Sequence, residues 1–400
     1  MIFGYLALIV AAGLCGPVLS GFRRLAIPVV VGEILGGALI GHSGFSLLPA
    51  DNATVADLSI VGFATLMLMA GTHLPFHDPN LRKSLRTGFI TVALSFTLAA
   101  AIGFPLAHFV GVSPQILVLL LANSSAAVLM PIVHERKLDG PTVVITTTWV
   151  ALTDTLTIVA LPLAMATGKT VEIGLGAVVV TIGALMAFCA LKAFRMSSYG
   201  HDLRQQSKEK HWALDMRMSW AILATLSLLA VQFGTSILLP GFACGAIISL
   251  VGKQPRRFAK QLIGTAEGLF VPLFFVTLGA RLDLSALFTS PADLELLGLI
   301  TIANIVVHVS VAKIVRLPFA SGLAACAQLG LPAAVASLGL TQGLLTAGQA
   351  AAVVGASMLS ILICTIGSAI LARNPANIAS AEAQKIKQAH DEEVQAFHEQ

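Results

Sequence analysis

Residues 149–163 read WVALTDTLTIVALPL, and they place one carboxylate, Asp154, in an apolar run with no neighbouring Lys or Arg. On a helix, Thr147, Val150, Thr157 and Leu161 share its face, and Thr153 precedes it. Pro162 is expected to break the helix further out. Two other apolar stretches carry polar and helix-breaking residues in their middles. LANSSAAVLMPIVHE holds Asn123, Ser124, Ser125 and Pro131, and CAQLGLPAAVASLG holds Gln328, Gly330 and Pro332. Proline removes a backbone donor and clashes with the preceding turn. Carboxylate, hydroxyl and freed carbonyl oxygens together are the donor set that a hard cation takes. Desolvation favours the neutral form of any carboxyl group, so a proton and a metal ion compete for such a site. The candidate ion-binding and proton-exchange residues are therefore Asp154, Thr153, Ser124, Ser125 and Asn123, with Asp154 the ligand to Na+ or K+.

The surrounding chain is mostly lipid-soluble. Of its 400 residues, 56% are hydrophobic and 11% charged, and the mean hydropathy is +0.88. A soluble domain carries about 25% charged residues. A spanning helix needs about 20 mainly apolar residues. That length yields about thirteen spans, centred near Ala11, Ile34, Phe63, Leu98, Asn123, Asp154, Leu185, Thr225, Cys244, Phe270, Val306, Leu329 and Leu359. The alternation of outer-membrane strands is absent, which favours helices over a barrel. The N-terminus lacks a basic region and reads as a first span, not a cleaved signal. Leu14 before Cys15 argues against a lipoprotein site. Cys15, Cys189, Cys244, Cys326 and Cys364 are scattered singly and read as packing residues.

Charge fixes an orientation. Cytoplasmic connections collect Lys and Arg. With the N-terminus outside and the C-terminus inside, all but Lys169 and Arg281 of the 24 basic residues fall on cytoplasmic connections. The net charge of +4 follows from that bias. It points to lipid headgroups and needs no nucleic-acid partner. The polar tail, residues 372–400, is too short for a folded nucleotide-binding regulatory domain.

The halves also align with each other. GALIG at Gly37 matches GAIIS at Gly245, and LMLMAGTHL around Gly71 matches FFVTLGARL around Gly279, both at a shift of 208 positions. SAAV at Ser125 matches PAAV at Pro332 at a shift of 207. The matches set spans two, three and five against nine, ten and twelve. A shift of seven spans is odd and inverts the second unit. Interrupted spans at corresponding positions of two inverted halves point to a midplane site.

Accessory candidates are Glu33, Thr157, Asn304, His308 and Gln328. Glu33, in span two, could line an access funnel or be a packing residue. Asn304 and His308 lie one turn apart in span eleven, and a buried histidine there is more often structural. His73, His77 and His134 read as solvated loop residues. Arg281 is expected to pair with Asp283. The NAT sequon at Asn52 is a weak signal.

On these residues the chain resembles the monovalent cation/proton antiporter superfamily, in the branch of the Kef-type potassium-efflux and NapA-like sodium/proton proteins. GEILGGALIG resembles the family's span-two signature. NSSAAVLMPIVHERKL is similar to its broken helix, and FVPLFFVTLGARLDL to its P-x-FF-x-x-x-G-x-x-x-D stretch. The resemblance implies a thirteen-span inverted repeat with two crossed discontinuous helices, usually a homodimer with a mobile core. It also places Asp154 on the family's ion-binding aspartate. The chain departs from the pattern at Thr153-Asp154, where members carry Asp-Asp, Asn-Asp or Gln-Asp. It also lacks a mid-span Lys or Arg in span eleven, and Leu331 stands near a frequent Glu.

The expectation is an all-α polytopic protein of the cell membrane. Residues 1–190 hold the first repeat, 191–218 a cytoplasmic loop, 219–371 the second repeat and 372–400 the tail. It would exchange Na+ or K+ for protons by alternating access, electroneutrally, with no cofactor beyond the transported ions. The core would comprise spans five, six, twelve and thirteen. The rivals are a proton- or sodium-coupled carrier of an organic anion on the same fold, and a non-transporting membrane sensor subunit. No acid/base triad or phosphate-cradling glycine loop suggests an enzyme.

Overall fold

The computed structural model describes residues 2–21, 29–49, 52–72, 79–165, 170–233, 238–251, 261–262, 264–374 and 377. The first half contains α1 (Ile2–Gly13), α2 (Cys15–Ser20), α3 (Val29–Ile40), α4 (Ala53–Thr72), α5 (Pro79–Val110), α6 (Pro114–Ala122), α7 (Ala126–Glu135), α8 (Pro141–Ala164) and α9 (Thr170–Met196). Next come α10 (Ser198–Glu209), α11 (Leu214–Gln232) and α12 (Leu238–Leu250). A π turn (Ala266–Phe270) runs into α13 (Val271–Arg281), followed by α14 (Leu284–Thr289) and α15 (Pro291–Ile314). The chain continues through α16 (Phe319–Ala325), α17 (Gly330–Thr341) and α18 (Ala347–Leu371). Arg23, Arg24, His73, His77, Lys169, Lys253, Arg256, Arg257, Lys260, Lys385, Lys387 and the side chain of His134 lie outside the described residues.

Among the described residues, 9 helices are long and apolar enough to cross a membrane, and Val29–Ile40, Pro114–Met130 and Leu239–Leu250 are shorter apolar helices. Every predicted span centre falls on one of these, or, for Phe270, on the π turn before α13. The protein is an all-α, multi-pass membrane protein. Its five cysteines are unpaired. The 191–218 connection is itself largely helical, since α9 runs on to Met196 and α10 follows.

The helices pack as two groups. In one, α3 lies on α13 and α4 on α12, with α1 and α11 against them. In the other, α5 packs on α6 and α8, α15 on α16 and α18, and α5 on α15. The second group thus holds spans four and eleven besides the four expected in a core. The boundary between the groups is apolar: Met67, Phe242 and Phe274 join one buried cluster with Ile158 and Leu331.

The shift of 208 positions is realised in atomic contacts. A Cβ on Gly37 would stand 2.1 Å from the Val276 carbonyl oxygen, and one on Gly279 would stand 2.1 Å from that of Ile34. A Cβ on Gly245 would stand 2.1 Å from the Leu68 carbonyl oxygen, and one on Gly71 would stand 2.2 Å from that of Phe242. The same shift carries Gly37, Leu68, Ile34 and Gly71 onto Gly245, Val276, Phe242 and Gly279. One backbone-on-backbone crossing is therefore made twice. In lipid, where apolar burial drives little association, small residues that let backbones meet hold helices together.

The third match behaves differently. The half-helices after the two breaks start at Ala126 and Gly330, a shift of 204, not 207. Pro332 sits in the first turn of α17, where its missing N–H needs no partner. It therefore follows the interruption instead of causing it. Pro131 likewise lies inside α7, after its break. Pro162 does not break α8 but occupies its last turn.

Gly37→Ala and Gly245→Ala should each destabilise the protein by about 1–3 kcal/mol through overpacking, read as a lower Tm in detergent. Gly298→Ala, with no atom within 4 Å of the new methyl group, should keep the Tm. Three equal melting curves would contradict the close crossings.

Candidate functional site

Lipid offers no hydrogen bonds, so every amide and carbonyl released by a helix break at membrane depth needs a protein partner. The two breaks supply each other. Ser125 N–H donates to the Ala327 carbonyl at 2.6 Å. Ser124 Oγ donates to the Ala325 carbonyl at 2.7 Å. Gln328 Nε2 donates to the carbonyls of Leu120 and, at 3.3 Å, Asn123. The backbone turns away from helix at Asn123 (ψ 141°) and at Leu329 (φ −147°). Interrupted helices α6/α7 and α16/α17 therefore cross at their gaps.

Neighbouring helices complete the set. Asn304 Nδ2, on α15, donates to the Cys326 carbonyl at 2.9 Å. Ser360 Oγ, on α18, accepts from Gln328 N–H at 3.0 Å. His308 Nε2 lies 3.0 Å from Ser124 Oγ, and its Nδ1 lies 2.9 Å from the Asn304 carbonyl. The imidazole stacks on Trp149, with ring centroids 5.5 Å apart, and Trp149 donates to Ser95 Oγ at 3.0 Å. His308 is fully buried where the carbonyl ends of α6 and α16 converge.

The amide ends of the half-helices point elsewhere. Ala126, the first residue of α7, donates its N–H to Asp154 Oδ2 at 2.9 Å. The carboxylate of α8 is thus the acceptor at the α7 N-terminus, where amides and the helix dipole favour negative charge. Beside it, Thr157 Oγ1 donates to Asn123 Oδ1 at 2.8 Å, while Asn123 Nδ2 is buried without a hydrogen bond. Thr153 is buried and turned back to the Trp149 carbonyl at 2.9 Å. Asp154 itself remains partly accessible, whereas Asn123, Ser124, Ser125, Thr153 and Thr157 are buried.

The structure therefore brings Asp154, Thr153, Thr157, Asn123, Ser124, Ser125, Asn304, His308 and Gln328 to one crossing. Glu33 is not among them; it lies on α3, in the other helix group. Among the described residues no group of three His, Cys, Asp or Glu side chains could hold a resident metal ion. At the outer turn, Arg281 Nη1 reaches Thr341 Oγ1 at 3.5 Å, and Asp283 lies 3.7 Å from His42. Asn52 caps its own turn through Thr54 N–H at 2.9 Å.

Sequence reasoning missed Trp149, Ser95, Ser360 and the carbonyls of Ala325 and Ala327. Trp149 carries a faint signal, a lone aromatic near Asp154 on the same span. Main-chain carbonyls carry none.

The model of the family described as "Sodium/hydrogen exchanger, transmembrane" matches residues 8–373. The chain is 23% identical over 375 residues to the putative Na(+)/H(+) antiporter YjbQ of Bacillus subtilis (strain 168), covering 88% of this chain and 60% of that protein. It is 24% identical over 304 residues to the Na(+)/H(+) antiporter NhaS5 of Synechocystis sp. (strain ATCC 27184 / PCC 6803 / Kazusa), covering 73% of this chain and 42% of that protein. The chain thus spans less than two thirds of the length of these relatives. The structure of the sodium proton antiporter MjNhaP1 from Methanocaldococcus jannaschii at pH 8 has the same fold, with TM-score 0.62 and 17% identity over 94% of this chain and 97% of that one.

Gln328→Leu leaves the Leu120 and Asn123 carbonyls without their donor. It should cost about 1–3 kcal/mol, seen as earlier unfolding in detergent. A Tm equal to that of the parent chain would show that the breaks do not depend on this amide.

Proposed function

The chain belongs to the sodium/hydrogen exchanger family, and from that premise we propose that it exchanges a monovalent cation, Na+ or K+, for protons across the cell membrane. The observation that carries this reading is the carboxylate of Asp154, a half-buried residue and the sole acid at the crossing among the described residues, held at the break by the Ala126 amide. Removal of the carboxylate's charge by a proton releases the cation, and arrival of the cation displaces the proton. The occupants exclude each other because a second acid is absent from the crossing among the described residues. The exchange is therefore one cation for one proton, electroneutral, and needs no cofactor.

The ligands of the cation are the Asp154 carboxylate and oxygens of Thr153, Ser124, Ser125 and Asn123, with carbonyls freed at the break. In the geometry described, Ser124 and Thr153 spend their hydroxyl protons on backbone carbonyls. The Thr153 oxygen then offers its lone pairs to a cation, while Ser124 Oγ also faces His308 Nε2 at 3.0 Å and has one lone pair left to offer. His308, Asn304 and Gln328 act one step away by holding the two gaps in register.

Alternating access follows from the two helix groups. Spans four, five, six, eleven, twelve and thirteen move as a unit against the group of α3, α4, α12 and α13, across a boundary that is apolar at Met67, Phe242, Phe274, Ile158 and Leu331. We place the second copy of a homodimer on that more fixed group. An organic anion as cargo fits less well, because the α7 N-terminus that would bind it is already occupied by the chain's own carboxylate.

In sealed vesicles with an imposed pH gradient, Na+ or K+ should dissipate the gradient through the parent chain. Asp154→Asn should lower that rate by at least about 100-fold, as expected when an obligatory exchange group is lost. Unchanged exchange by Asp154→Asn would remove the carboxylate from the mechanism.

A further inference from the structure

We propose that the Asn123 carboxamide turns over with the occupant of the crossing, presenting its amino group to the cation-free site and its oxygen, as a ligand, to a bound cation. Thr157 is the positioning residue that holds the carboxamide in either register. The inference rests on cation binding at Asp154 and adds the device that fits the crossing to the cation.

Asn123 is fully buried and its main chain is fixed. Its N–H donates to the Leu119 carbonyl at 3.0 Å, and its carbonyl accepts from Gln328 Nε2 at 3.3 Å. The carboxamide alone can turn, about a bond whose torsion is broad and roughly two-fold. Its oxygen accepts from Thr157 Oγ1 at 2.8 Å, whereas its Nδ2 is buried without a hydrogen bond. The oxygen that a cation needs is thus taken. The group left bare is a donor, the wrong sign for a cation.

The partner makes the turn possible. Thr157 has one hydroxyl proton and three oxygens within reach: Asn123 Oδ1, the Thr153 carbonyl at 2.9 Å and the Asp154 carbonyl at 3.1 Å. A hydroxyl donates once but also accepts. With the carboxamide turned, Nδ2 donates to Thr157 Oγ1, and the hydroxyl donates back to the Thr153 carbonyl, a bond that threonine commonly makes inside a helix. One hydrogen bond becomes two, and the bare group becomes an oxygen. Asn304 provides the contrast. Its Nδ2 donates to the Cys326 carbonyl at 2.9 Å, and its Oδ1 is likewise buried and bare. A carbonyl only accepts, so turning Asn304 would set oxygen against oxygen. A hydroxyl partner permits two registers, and a carbonyl partner permits one.

Charge decides which register goes with which occupant, because side-chain amide dipoles orient in the local field. At a crossing that holds an ionised Asp154 and no cation, the amino group is the favourable end to present. A cation on the carboxylate reverses the sign and favours the oxygen.

The test is infrared difference spectroscopy of the full chain in lipid, with asparagine carrying ¹³C in its side-chain carbonyl, recorded with and without saturating Na+ or K+. Calorimetric binding of the same ions is measured in parallel. One asparagine carbonyl band should shift with cation in the parent chain, and the shift should be lost in Asn123→Leu at saturating cation. Thr157→Val should weaken cation binding about tenfold, the loss of one hydrogen bond. Thr157→Ser keeps the hydroxyl and should bind within about threefold of the parent, which separates the hydroxyl from packing. Cation binding with every asparagine band unmoved, or a shift that persists in Asn123→Leu, overturns the turning amide and leaves the exchange reading intact. Equal binding by Thr157→Val, or Thr157→Ser as weak as Thr157→Val, overturns the role of Thr157. A parent chain that binds neither ion overturns the exchange reading, and the turning amide with it.

Discussion

Two peptide breaks inside a bilayer can persist only if each pays the other's hydrogen-bond debt, and this constraint organises the molecule. The exchange of donors and acceptors between Asn123–Ser125 and Ala327–Leu329 is direct, through Ser125 N–H, Ser124 Oγ and Gln328 Nε2. Asn304 and Ser360 are recruited from flanking helices for what remains. Membrane-depth polar backbone is tolerated where protein encloses it. The consequence is that charge can be placed at the gap at low cost. The open amide of Ala126 donates to a carboxylate from α8, and that carboxylate is the sole acid at the crossing among the described residues.

The two helix groups divide the work. Group contacts in the first rest on glycine, with backbones touching at Gly37–Val276 and Gly245–Leu68. Such contacts are rigid, since there is no side chain to repack. The second group is tied by polar bonds at its centre and meets the first largely through apolar groups such as Met67, Phe274 and Leu331, with the Arg281–Thr341 contact at one end. Apolar surfaces can slide with little change in energy, whereas hydrogen-bonded ones cannot. In the proposed exchange, the chemistry of the site and the movement of the core would thus come from different residues.

Much of this was legible in the residues. Hydropathy located each span because a bilayer sets a length that composition must meet. The glycine matches at a shift of 208 were legible because a missing side chain at a backbone crossing leaves a residue-type signature. Asp154 stood out because charge in an apolar run is costly. The register of the breaks was not legible: the SAAV and PAAV match reflects small-residue composition, and the structure places the gaps at a shift of 204. The partners of the breaks were hidden as well. Gln328, Asn304 and Ser360 reach main-chain groups far away in sequence, and a carbonyl oxygen carries no letter. Glu33 was legible as an oddity, but its separation from the crossing needed the packing of α3 on α13.

In the proposed exchange, one proton and one cation compete for Asp154. The most direct measurement is calorimetric titration of the purified chain with Na+, K+ and Li+ in buffers of different ionisation enthalpy, at several pH values. Release of about one proton per cation bound is expected, with both signals lost in Asp154→Asn. Cation binding without proton release, or equal binding by that variant, would contradict it.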